Sequence, residues 1–109
     1  MKSIRVLGVD YTIEETDAPI IDGKLCLGLI DYDSQRIELY RHTSEQTKSL
    51  ALLHEIGHAI FFGMDVQIDK DLEEKVVEMM ARGLYQIAKD NGSGFLNYEG
   101  TVTKDEQNE

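Results

Sequence analysis

The stretch HEIGH at residues 54–58 sets two of the chain's three histidines, His54 and His58, four positions apart, with Glu55 directly after the first. A helix advances about 100° per residue, so these imidazoles fall one turn apart on nearly the same face and can share one ion. Glu55 projects beside them, where its carboxylate can reach a water on the ion without taking a coordination position. Two imidazole ligands and an adjacent general base are the working content of the H-E-x-x-H pattern, and the chemistry is metal-assisted hydrolysis. The competing structural reading is two histidines satisfied on the polar face of a helix.

A catalytic zinc site has three protein ligands and an open position, and no histidine follows His58. The stretch DLEEKVVEMMARGLYQI at 71–87 offers Glu73, Glu74 and Glu78 instead. Glu74 and Glu78 share a helix face. Glu74 can ligate while Glu78 orients a histidine, or the two can exchange roles. Glu73 is turned further away and is expected to be solvated. A structural alternative makes Glu74 the capping partner of Asp71 and Glu78 an exposed charge. A His/His/Glu donor set favours Zn²⁺. The acidic DYDSQ at 31–35 is not a calcium loop, since Arg36 stands where glycine is needed and no glutamate fills the twelfth place.

These residues need helices to hold them. Leu50, Leu53, Gly57, Ile60 and Phe61 recur at helical intervals, which predicts a helix over 44–62, with Thr43 and Gln46 at capping-box spacing and Gly63 placed to end it. Gly57 costs about 1 kcal/mol relative to alanine inside a helix, so something should pack closely there. Asp69 or Asp71 caps a second helix carrying Leu72, Val76, Val77, Met80, Leu84 and Ile87, which stops where Asn91-Gly92 can turn left-handed. Upstream, SIRVLGVDYTIEE reads as one strand of roughly 8–10 residues, Ala18-Pro19 as a loop, and KLCLGLIDYDSQRIELY as a hairpin around Asp33-Ser34. The expected fold class is α+β: a small antiparallel N-terminal sheet packed against two main helices. FLNYEGTVT is expected as a last strand or an extended arm, and KDEQNE as a solvated end.

At 109 residues the chain has room for one modest core. Its net charge of −10, with 21 acidic against 11 basic residues and no basic patch, argues against direct nucleic-acid binding. Cys26 is the only cysteine, so an intrachain disulfide is impossible, and between Leu25 and Leu27 it reads as a buried thiol in a strand. No apolar run approaches membrane-spanning length, and the expectation is a soluble, cytoplasmic protein.

LLHEIGHAI, followed by EEKVVEMMARGLY, resembles the ImmA/IrrE-type metallopeptidases, in particular their small phage-associated members. The resemblance covers roughly 37–87, and the histidine motif is its specific part. It implies a minimal zincin-like core of gluzincin type over 1–92, with 93–109 as a C-terminal arm. By position it implies His54, His58 and Glu74 as zinc ligands and Glu55 as the catalytic base. It also implies a protein or peptide substrate, with a repressor as one such target, and RIELY as the edge strand on which an extended substrate lies. The rival is a non-catalytic zinc-binding module that recognises a regulatory protein. Oligomeric state is not implied.

Overall fold

A computed structural model describes residues 2–99 of the chain. The elements in order are β1 (Lys2–Val6), β2 (Val9–Thr16), β3 (Ile20–Ile21), β4 (Lys24–Leu25), β5 (Gly28–Asp31), β6 (Arg36–Tyr40), α1 (Glu45–Gly63), α2 (Lys70–Asn91) and a 3₁₀ turn at Ser93–Leu96. The architecture is α+β, as expected from the hydrophobic periods.

The single strand expected at the N-terminus is two strands. Leu7 and Gly8, both at positive φ (49° and 85°), form a two-residue turn between the facing Val6 and Val9, the geometry that matches the twist of a tight hairpin. Leu7 is held in this unfavourable region by its side chain, which packs on α1. A Cβ on Gly63 would lie 3.0 Å from Leu7 Cδ1.

The main sheet runs β1-β2-β6-β5, with β2 and β6 parallel and the other neighbours antiparallel. It is therefore mixed, not wholly antiparallel. After β2 the chain passes through the small β3–β4 hairpin, enters as β5 one place beyond β2, and turns back into the gap as β6. That last reversal is the expected hairpin, where the Asp31 carboxylate accepts the backbone N–H groups of Asp33 (3.0 Å) and Ser34 (3.3 Å). Because β6 fills the gap, RIELY is an interior strand and the free edge near α1 belongs to β5, which corrects the assignment of the edge strand.

One sheet face receives α1. Val6, Tyr11, Ile37 and Leu39 form the core with Ala51 and Ala59, whose small side chains let the helix approach closely. Glu55 lies between the two alanines on the same face and is buried with them. The helix is capped by Ser44, not Thr43: the Ser44 hydroxyl accepts the Thr47 N–H at 3.1 Å. Asp69 caps α2, accepting from Leu72 N–H at 3.2 Å, and Gly92 at φ 73° ends it.

Val77 and Ala81 are the buried residues of α2, and Gly57 is their counterpart on α1. A Cβ there would stand 2.9 Å from Val77 Cγ1. Cys26 is not in a strand; it lies half-buried between β4 and β5 and donates its thiol to the Pro19 carbonyl at 3.3 Å. The tail begins with the 3₁₀ turn, and the expected arm and solvated end from residue 100 onward lie outside the described residues. Among the described residues no helix is long and apolar enough to cross a membrane.

Candidate metal centre

The faces of α1 are divided by its period. Ala51, Glu55 and Ala59 turn to the sheet, while His54 and His58 turn to α2 and its Glu73, Glu74 and Glu78. The Gly57–Val77 contact brings the helices close enough for short carboxylates to meet the imidazoles. The outer ring nitrogens are taken first: His54 Nδ1 lies 3.0 Å from Glu78 Oε1, and His58 Nδ1 lies 2.6 Å from Glu73 Oε2. A carboxylate only accepts, so an N–H at Nδ1 serves these contacts, and in that tautomer a neutral imidazole can offer its Nε2 lone pair to a metal ion.

The two Nε2 atoms converge. His54 Nε2 and His58 Nε2 are 3.2 Å apart, and each faces a different oxygen of Glu74, at 3.1 and 2.9 Å respectively. Bare lone pairs at this spacing would repel, so a proton or a cation must sit among these atoms. Ligand atoms about 2.0–2.1 Å from a tetrahedral ion lie roughly 3.3 Å from each other, close to the Nε2–Nε2 separation and to the distance from each ring to its own Glu74 oxygen. His54, His58 and Glu74 can therefore hold a metal ion. Glu78 stands at the back of His54, and Arg82 Nε bonds its other oxygen at 3.0 Å. The His54 hydrogen bond, assisted by Arg82, holds the Glu78 carboxyl below the usual range.

Glu73 is the residue that the reading of the sequence misplaced. It is not solvated but about three-quarters covered, with its side chain 23% exposed against His58. The signal was available in the requirement that each histidine ligand give its second N–H to an orienting group. With two histidines and one ligating glutamate, the remaining two glutamates of the stretch meet that need. His42, the third histidine, pairs with Asp17 at 3.0 Å on the surface.

Glu55 is 7% exposed yet lines the same cleft as the ligand set, a space of about 940 Å³. Burial pushes its carboxyl above the usual range; the His54 and His58 imidazoles oppose this, and the Glu74 charge adds to it. Gly28 on β5, Leu27 and Cys26 just before it, and Ile21 of the β3–β4 hairpin line the facing wall. Tyr40 N–H bonds Leu27 O, and the antiparallel alternation from that pair turns the backbone groups of Gly28 and Ile30 toward the open edge. A scan against protein-family models, a search of curated proteins and a search of solved structures each return no match for this chain.

Proposed function

We propose that the chain is a zinc-dependent metallopeptidase acting on a protein or peptide, with His54, His58 and Glu74 as the zinc ligands and Glu55 as general base. The observation that carries this reading is the convergence of two imidazole Nε2 atoms and the Glu74 carboxylate beside a buried but cleft-lining Glu55. The resemblance to ImmA/IrrE-type enzymes supports it and makes a regulatory protein such as a repressor the class of target to test first. Zinc, when bound, supplies Lewis acidity that polarises a peptide carbonyl and acidifies water.

The chain's residues supply the rest. Glu55 accepts a proton from the attacking water and returns it to the leaving amine, and its desolvated setting favours the protonated form it must hold between those transfers. Glu73 and Glu78 fix the ring orientations through Nδ1. The edge of β5 pairs with an extended substrate backbone through the outward groups of Ile30 and the Gly28 carbonyl.

Elemental analysis of protein purified without added metal, paired with Glu55→Gln, tests the proposal. Stoichiometric zinc in both proteins with proteolysis of a candidate substrate lost in the variant supports it. Retained zinc with unchanged function in the variant favours the non-catalytic recognition module, and absence of stoichiometric metal rejects both.

A further inference from the structure

The two walls of the metal-bearing cleft differ in chemistry. The β-side wall carries Ile21 and Leu27, half-exposed at 50% and 52%, whereas the α2 wall carries Lys75, Glu78 and Arg82. Positions 75, 78 and 82 lie along one side of the helix, the backbone of the first and last two turns apart, from which two long side chains can reach toward a common point.

The anions of this wall are already engaged. Glu78 gives one oxygen to His54 and the other to Arg82, and both Glu74 oxygens face the imidazoles. The cations keep donors in reserve. Arg82 uses Nε alone, its terminal nitrogens bond no described residue, and the Lys75 ammonium forms no ion pair among the described residues. Arg82 is thus paired through one nitrogen only, with Glu78 at 3.0 Å, while Lys75 has its whole ammonium open to the cleft. What sets Lys75 and Arg82 apart from the other lysines without an ion pair is their place on the wall of this cleft, where their spare donors can meet an anion from outside.

Resting on the reading of the cleft as a peptide site, we propose that it selects segments bearing an aspartate or glutamate side chain. Lys75 and the terminal nitrogens of Arg82 bind that carboxylate, while an apolar residue of the same segment rests on Ile21 and Leu27. The chain's overall negative field opposes such a peptide at long range. At 0.15 M salt that field is screened beyond about 8 Å, whereas the contact with Lys75 and Arg82 persists.

The test uses the full zinc-loaded chain carrying Glu55→Gln, so that binding is read without turnover, and two fluorescent pools of randomised hexapeptides containing leucine. One pool has Asp or Glu fixed at the third position and the other Asn or Gln. Fluorescence anisotropy at 0.15 M salt should give about tenfold tighter binding of the acidic pool, and adding Lys75→Glu should abolish or invert the preference. Equal binding of the pools, failure of both to bind, or a preference unaffected by Lys75→Glu overturns the proposal. Cleavage of the same pools by the zinc-loaded chain with Glu55 intact separates the two ideas. Preferential binding of the acidic pool without cleavage of either sinks the hydrolytic reading and leaves the selectivity standing, whereas cleavage of both at equal rates does the reverse.

Discussion

Replacing Gly57 with alanine tests whether the distance between α1 and α2 sets the ligand geometry. The new Cβ would lie 2.9, 3.1 and 3.3 Å from Val77 Cγ1, Cγ2 and Cβ. Ordinary carbon contacts are about 3.5–4.0 Å, so the helices must part by roughly 0.5–1 Å. Val77 cannot swing aside, because a β-branched residue in a helix has one strongly preferred rotamer and rotation would only exchange one methyl for the other. It is also 1% exposed, with no solvent to move into. Helix propensity returns about 0.5–1 kcal/mol against an overpacking cost of about 1–3 kcal/mol, a net loss near 1 kcal/mol. The effect on the site is larger, since metal–ligand distances tolerate only about 0.2 Å and Glu74 would be carried several times that far from the imidazoles. Zinc affinity, measured by competition with a chromophoric chelator, should fall at least tenfold, and Val77→Ala in the same chain should restore most of it. A Gly57→Ala protein that binds zinc as tightly as the original and melts at a higher temperature would refute the reasoning.

Four other outcomes follow from the same geometry. Glu74→Gln should weaken zinc binding by more than 100-fold and alter the ligand-field spectrum of the cobalt-substituted protein, while Glu78→Gln should cost about 10–100-fold with that spectrum nearly unchanged; the opposite order would make Glu78 the ligand. Ser44→Ala should destabilise the metal-free protein by about 1 kcal/mol in urea, and Thr43→Ala should be close to neutral. Burial, with the charges of Glu73 and Glu55, pushes the Tyr32 phenol up to about 12. Its folded value exceeds the unfolded one near 10, so its contribution to stability is complete below pH 10 and lost between pH 10 and 12; subtracting the alkaline absorbance titration of Tyr32→Phe isolates this step. In metal-free protein the amides of α2 should exchange faster than those of β2 and β6, and zinc at 1,000 times its dissociation constant should slow them about 1,000-fold, an effect absent in Glu74→Gln.

The helices were legible in the sequence because their signals are local. Apolar spacing and caps delimit both α1 and α2, and the i, i+4 histidines need only one turn of regular helix to point together. Gly57 announced a close contact, although only the structure identifies Val77 as its cause. The sheet was less legible because strand order depends on non-local pairing. Nothing within RIELY distinguishes an interior strand from an edge, since its place follows from where β5 enters. The Leu7-Gly8 turn was hidden by a leucine in a conformation that glycine, asparagine or aspartate normally takes, and its support is Gly63, more than fifty residues away. Ser44 displaced Thr43 as the cap because two adjacent hydroxyl residues offer the same chemistry, and the chain's exit from β6 decides between them.

The placement of Glu73, Glu74 and Glu78 also bears on what holds α2 to the rest of the molecule. Of this helix only Val77 and Ala81 are buried among its described side chains, which is worth a few kcal/mol at best, little for ordering a helix of 22 residues. Its remaining attachment to α1 runs through three carboxylates set against two imidazoles, with Glu55 close behind. Without a metal ion that cluster needs a proton on an Nε2, because bare lone pairs there would face the Glu74 carboxylate. A divalent ion held by His54 and His58 from one helix and Glu74 from the other would take the place of that proton and tie the two helices together. The same contacts that would shape a hydrolytic centre thus also dock α2, so the site and this part of the fold should form together.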